Sequence, residues 1–396
     1  SVRGEMAIDG IAASALVERA GDTPCFIYSR AMLSDRVARL RAAMPDVLAI
    51  HYAMKANPFA PLLAHMVGLV DGIDIASQGE LAMALAAGAG PEAISFAGPG
   101  KRDRELEAAI RAGVTLNVES EGEAERALAI GDRLGITPRL AVRVNPDFDL
   151  RGSGMRMGGG AKQFGIDQER VPALVKHLVA RGADWRGFHI FAGSQALDAT
   201  AVIETQANTI ALAAQLADTA GHRPGHVNLG GGLGIPYFPG DTPIDVDAIG
   251  AALSERFGAL PDALRDTRFA IELGRWLVGE AGVYLTRIVD RKESHGETYL
   301  ITDGGLHHQL AASGNFGTVV RRNYPVAIAS RFEQAPDEIA SIVGCLCTPL
   351  DRLADKAEFP RAEIGDLVAV FCAGAYGATA SPSAFLGQGT AVELLI

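Results

Sequence analysis

Between residues 47 and 273 eight short apolar or alternating runs are separated by seven amphipathic stretches. Apolar residues at alternate positions mark a strand, and a 3.6-residue period marks a helix. Strands are expected at 47–52, 72–76, 94–97, 115–118, 139–145, 187–191, 226–229 and 268–273, with helices at 61–70, 79–87, 103–112, 121–134, 168–181, 200–220 and 246–259 between them. Strands that alternate with helices build a parallel sheet covered by its crossovers. Eight units over about 230 residues match a closed (β/α)8 TIM barrel in number and size, with an open doubly wound sheet as the alternative.

The flanks read differently. A strand at 23–29 and a helix at 30–43 precede the eight units. Beyond Gly282, strand patterns at 283–291, 298–303, 326–329, 339–343 and 367–371 leave little room for helices, so a β-rich domain follows the barrel. The expected organisation is an N-terminal segment, 1–29, that pairs with the β domain, a barrel over 30–281, and the β domain over 282–396. The loop 147–162 breaks the regular spacing. It holds Gly152, Gly154, Gly158, Gly159 and Gly160 with Met155 and Met157, and loops of this length are usually functional or disordered.

Charge and cysteine content exclude several classes. A net charge of −11 gives no footprint for nucleic acid or an anionic membrane. No apolar run approaches the ~18 residues of a membrane span, and the first residues lack the apolar stretch of a signal peptide. Cys25, Cys345, Cys347 and Cys372 form no disulfide framework, which points to a reduced, cytoplasmic protein. Cys345 and Cys347 stand one residue apart without a histidine cluster, so no metal is expected.

Barrel enzymes keep their chemistry where the strands end. Those ends carry Lys55, then Asp74 and Ser77, Asn117 and Glu119, Arg143 and Asn145. His189, Phe191 and Ser194, Gly230-Gly231-Gly232, and Glu272 with Arg275 complete the ring. A lysine closing an apolar strand loses its proton easily if buried and can then form a Schiff base; otherwise it is a solvated loop lysine. The glycine run follows the seventh strand, where barrels place phosphate sites, and Arg275 can supply counter-charge. Glu272 could pair with an arginine or hold a proton on a heterocyclic nitrogen. Beside a Schiff-base lysine, the second reading points to pyridoxal 5′-phosphate.

Together these residues resemble the fold-type III pyridoxal-phosphate decarboxylases, the family of diaminopimelate, ornithine and arginine decarboxylases. The motifs are Tyr-Ala-Met-Lys-Ala-Asn (52–57), Asp-Ile-Ala-Ser-Gln-Gly-Glu-Leu (74–81), Gln-Phe-Gly-Ile (163–166) and Gly-Ser-Gln (193–195). Gly-Gly-Gly-Leu-Gly (230–234), Glu-Leu-Gly-Arg (272–275), Cys-Thr-Pro-Leu-Asp (347–351) and Gly-Ala-Tyr-Gly-Ala (374–378) follow in order. The resemblance implies an alanine-racemase-like C-terminal domain and a homodimer with shared active sites. It implies that Lys55 holds the cofactor and that Glu272 pairs with the pyridine nitrogen. Ser194, Gly231, Gly232, Arg275 and Tyr376 would hold the phosphate, and Asp74 would sit in the cofactor pocket. Cys347, from the partner chain, would return a proton to Cα. Asp303, Thr348 and Asp351 would face the substrate.

Three departures bear on that substrate. Thr348 stands where the family usually has an acid that holds a distal ammonium, and an unpaired buried ammonium is costly. Phe191 stands where a histidine stacks on the cofactor ring, with His189 two residues away to share the role. The 147–162 loop is similar to the branch that acts on carrier-protein-bound aminoacyl groups or is linked to exosortase clusters. The resulting expectation is a decarboxylase whose substrate is carrier-tethered, or at least not a free basic amino acid. Decarboxylation of free diaminopimelate, ornithine or lysine is the first alternative. An amino-acid racemase or a non-catalytic cofactor-binding protein is the second; racemases use an arginine at the pyridine nitrogen, and carriers lack a second domain.

Overall fold

The computed structural model describes residues 1–314 and 322–396, with backbone alone at Met155 and Arg156. The chain divides into two compact units. One comprises Arg36–Ile235 and Thr242–Trp276, the other Ser1–Asp35, Pro236–Asp241 and Leu277–Ile396.

The first unit is a closed barrel of eight parallel strands. In order around the ring they are Leu48–Ala53, Gly72–Ile75, Ile94–Phe96, Thr115–Val118, Arg139–Asn145, Asp184–Ile190, His226–Gly231 and Arg268–Leu273. The ring closes where Phe269 to Leu273 pair with Leu48 to Tyr52. The open-sheet alternative is thereby excluded. The sixth strand begins earlier than its apolar run suggests, because a bulge between Trp185 and Gly187 absorbs an irregular start. A Cβ on Gly187 would lie 1.8 Å from the His226 carbonyl oxygen, so only glycine lets those two strands meet.

Successive residues of a strand face opposite ways. In this barrel Ile50 and Tyr52 flank His51, and Ile73 and Ile75 flank Asp74. Val142 and Val144 flank Arg143, Phe188 and Ile190 flank His189, Val227 and Leu229 flank Asn228, and Ile271 and Leu273 flank Glu272; all are buried. Barrel interiors are ordinarily filled by branched apolar side chains. Here the axis is polar, and the apolar residues face the helices.

In the second unit, Gly282–Ser294 lies between Leu367–Val370 and Glu297–Thr302. The sheet continues through Glu338–Val343 to Arg352–Phe359, with Val326–Ile328 at the other edge. Cys25–Tyr28 pairs antiparallel with Gly282–Ser294, and Val392–Leu395 adds to it in parallel. The strands Arg352–Phe359 and Val392–Leu395 and the helix Ala13–Ala20 are not among the elements expected from the sequence, although Ala13, Leu16 and Val17 of that helix are spaced for one buried face. The core gathers Met6, Leu16, Cys25, Ile27, Leu285 and Leu367. Burial, with Asp303 nearby, pushes the Cys25 thiol up to about 12. No helix among the described residues is long and apolar enough to cross a membrane.

Candidate active site

The first strand runs into a single 3-10 turn, Met54–Ala56, which lifts Lys55 out at the strand's C-terminal end. Lys55 is exposed to a cavity rather than buried, which corrects the expectation of a desolvated lysine. That cavity, of about 190 Å3, is lined by Lys55, Asp74, Arg143, Met157, His189, Phe191 and Glu272, among others. Six of the strand-end residues predicted from the sequence therefore meet in one place.

Glu272 is buried on the axis. Its Oε2 lies 2.8 Å from His189 Nε2 and accepts from Asn228 Nδ2 at 3.1 Å. Both bonds among the described residues go to Oε2, so Oε1 is left toward the cavity. Burial works against ionisation of Glu272. The charge and hydrogen bond of His189, with Lys55 and Arg143 nearby, outweigh it and hold the carboxyl well below its usual range. His189 Nδ1 is buried without a partner among the described residues. Since His189 is committed to Glu272, Phe191 is the aromatic wall; Lys55 Nζ stands 5.9 Å from its ring centre. Asp74 Oδ2 lies 3.3 Å from His51 Nδ1, a neighbour the sequence did not single out.

The glycine run forms a tight cradle. Gly230 and Gly232 have φ of 70° and 77°, in the left-handed region. A Cβ on Gly231 would come within 1.9 Å of the Glu272 carbonyl oxygen, and one on Gly232 within 2.3 Å of that of Gly193. The loop 147–162 is folded onto the same rim. Its residues Met155–Arg156 pair with Gly193–Ser194, beside the predicted phosphate serine. Met157 N–H also donates to the Ala192 carbonyl, and Asn145 Nδ2 to that of Gly160, at 3.1 and 3.0 Å. Ser77 is occupied elsewhere. Its hydroxyl caps the helix Gln78–Ala86, while Glu80 reaches back to the Ala76 N–H.

A second tier of charge was not legible in the sequence. Lys101, just past the third strand, is almost wholly buried and donates to Glu123 at 2.7 Å and to the carbonyls of Gly98 and Asn117 at 2.8 Å. Glu119 accepts from the Gly98 N–H at 2.5 Å and from Arg143 at 2.8 Å. Gly98 and Arg143 both line the cavity. The one available signal was a lysine closing the third strand as Lys55 closes the first. Removing one partner of a buried pair strands the other charge, so Lys101→Met should lower stability by about 3–5 kcal/mol. Denaturant unfolding of the variant measures this; a loss below about 1 kcal/mol would contradict the burial argument.

In the second unit, the two acids expected to face substrate have other work. Asp351 is buried; its Oδ1 accepts the Leu306 N–H at 2.7 Å and its Oδ2 that of Leu346 at 2.9 Å. Gly305 and Gly344 leave the room it needs, since a Cβ on either would lie 2.2 Å from its oxygens. Asp303 accepts from Thr286 and the Arg287 N–H through Oδ1, and from Thr23 through Oδ2. Both carboxylates are hydrogen-bonded within this unit. Cys347 is exposed at the tip of the loop that Asp351 anchors. Thr348 is half-buried, and its hydroxyl accepts the Leu350 N–H at 3.3 Å. Tyr376, between Ala375 and Gly377, has φ 55°.

Comparison with known proteins settles the family. Residues 30–279 match the model of the pyridoxal-binding domain of pyridoxal-dependent decarboxylases. The chain belongs to that family. It is 35% identical to the L-glutamyl-[BtrI acyl-carrier protein] decarboxylase of Niallia circulans, over 98% of this chain and 92% of the relative. It is 31% identical to the diaminopimelate decarboxylase of Archaeoglobus fulgidus, over 99% and 92%. The diaminopimelate decarboxylase of M. jannaschii, solved with L-lysine, superposes with a TM-score of 0.90 at 25% identity, over 100% of this chain and 92% of that one. The chain is therefore a decarboxylase of the fold-type III class, with the barrel and β-rich architecture of its relatives.

Proposed function

We propose that this protein decarboxylates an aminoacyl group presented on a carrier protein, or an amino acid without a free distal ammonium, with pyridoxal 5′-phosphate held at Lys55. The observation that carries the cofactor assignment is Lys55 and the free-facing Oε1 of Glu272 on one cavity, with an aromatic wall between. The glycine cradle beside it, too tight for any Cβ, fits a phosphate bound by backbone amides. When bound, the cofactor supplies the electron sink for the pair left behind as carbon dioxide departs.

The chain's own residues do the rest. Lys55 Nζ would hold the cofactor through its aldehyde group. Glu272 Oε1 keeps the ring nitrogen protonated, and His189 and Asn228 fix its carboxylate. Phe191, on the cavity wall, would shield the ring from water. Ser194, the amides of Gly231 and Gly232, and Arg275 hold the phosphate. Cys347 would return a proton to Cα from the partner chain of a homodimer, an assembly that the family resemblance supports and that sedimentation tests. The four cysteines are free thiols, in keeping with a reducing cytoplasm.

The substrate reading rests on Thr348, directly after Cys347, where no carboxylate is available to a distal ammonium. The relative that acts on a carrier-bound glutamyl group supports it. A carbon-dioxide release assay tests it, with free basic amino acids, N-acylated diamino acids and aminoacyl carrier proteins side by side. Efficient turnover of free lysine, ornithine or diaminopimelate would refute it. Thr348→Glu should then raise kcat/KM for a free basic amino acid at least about tenfold, the equivalent of ~1.4 kcal/mol of new charge pairing.

A further inference from the structure

The barrel is hollow at both ends. Beneath the cavity that holds Lys55, a chamber of about 600 Å3 opens at the N-terminal ends of the strands. Its polar lining includes His51, Asn117, Asn228 and His226, with Arg186 and Arg268 at the rim. A polar space of that size holds water. The partition between chamber and cavity is one side chain thick. His51 Nδ1, on the chamber side, stands 3.3 Å from Asp74 Oδ2, on the cavity side, a charge contact in which neither atom makes a hydrogen bond among the described residues; Asn228 Nδ2 donates to Glu272 at 3.1 Å. Asn228 cannot titrate, whereas His51 can. Gly72 makes room for the imidazole, since a Cβ there would lie 2.6 Å from its Nε2.

We infer that the chamber is a second solvent entrance, and that the His51–Asp74 contact passes protons between its water and the cavity of Lys55. The inference rests on the proposed function. Each decarboxylation replaces a carboxylate by hydrogen and so consumes one proton. Lys55 must also shed a proton from Nζ before it bonds to the cofactor, and take one when the substrate amine displaces it. A tethered substrate arm in the upper mouth would restrict bulk water there, and the chamber offers a second route.

The step balances without any redox partner. Lys55 and Asp74 line the same cavity, and a proton from Lys55 Nζ reaches the Asp74 carboxylate through cavity water. Asp74 yields it to His51 Nδ1 as another leaves Nε2 for chamber water, and the reverse sequence restores the lysine. The groups facing His51 are Asp74 and Glu272 above it, Asp71 at the start of the second strand, and the His226 ring at 5.7 Å. Burial alone would lower the His51 imidazole; Asp74, then Glu272 and Asp71, outweigh it and raise it. Burial, with His51 and His189 nearby, pushes His226 down to about 3, so it stays neutral and does not compete for the proton.

His51→Ala in the cofactor-loaded enzyme should lower kcat about 10²-fold, the usual worth of a proton-transfer group, with little change in KM. Added imidazole, admitted through the chamber, should restore turnover, and a series of substituted imidazoles should do so in the order of their pKa. Ala141→Phe, which fills the chamber, should lower kcat by itself and block that rescue. In the cofactor-free protein, the His51 imidazole followed by NMR should titrate lower in Asp74→Asn. Should His51→Ala not fold, His51→Gln read by its pH–kcat profile replaces it. An unchanged profile, or rescue indifferent to imidazole pKa, overturns the relay. No carbon dioxide from the unmodified enzyme with any substrate class defeats the function instead.

Discussion

Lys55→Ala should abolish turnover, with kcat/KM falling by about 10⁴ to 10⁶-fold, the range found when the covalent group of an enzyme is removed. The purified variant should lose the visible absorbance of the bound cofactor, while its unfolding midpoint stays close to that of the unmodified apoprotein. The reason for the small structural cost is local. Lys55 projects from a one-turn helix into a cavity, and its neighbours Met54 and Ala56, which are buried, carry the packing. A variant that keeps the absorbance, or keeps more than a hundredth of the activity, would remove Lys55 from its role and with it the assignment of the cavity.

Glu272→Gln is expected to be the second most damaging change, at about 10² to 10³-fold in kcat, the cost of removing one preorganised electrostatic partner. The substitution keeps the volume and can keep a hydrogen bond to Asn228 or His189, so the cofactor should still bind. What it removes is the negative charge that holds a proton on the ring nitrogen. Glu272 is held ionised below the ordinary carboxyl range, so its contribution to stability is complete at neutral pH. That contribution is lost only as the pH falls through its depressed value. The unmodified enzyme should therefore show no acid loss of activity from this group near pH ~5. Near-normal kcat in Glu272→Gln, with cofactor bound, would show that the ring nitrogen is governed by another residue.

These expectations rest on features of unequal legibility. Five strands and helices of the barrel, 115–118, 139–145, 268–273, 103–112 and 121–134, have the bounds their periodicity predicts. Their patterns are long or cleanly bounded, and each is flanked by a glycine, a proline or a capping residue. Arg352–Phe359 was invisible because its exposed half carries charge and only its pairing to Glu338–Val343 makes it a strand. Lys55, Phe191, His189 and Glu272 could be placed together because a parallel barrel sends every strand end to one mouth. Asp303 and Asp351 could not be judged that way. A carboxylate in a motif looks the same whether its oxygens face a ligand or backbone amides, and here they meet amides and hydroxyls.

The residue order alone determined the eight-fold alternation, the ring of polar strand ends and the family motifs, because each is local or depends only on strand direction. Only the tertiary structure decided what those polar groups do to one another. It showed that Oε2 of Glu272 is taken by His189 and Asn228 while Oε1 has no partner among the described residues. It paired Lys101 with Glu123 from separate strand–helix units, and brought His51 to Asp74 across a floor one side chain thick. Such contacts join residues far apart in the chain through side-chain direction across the barrel axis, and that direction is set by closure of the sheet, which no local pattern encodes.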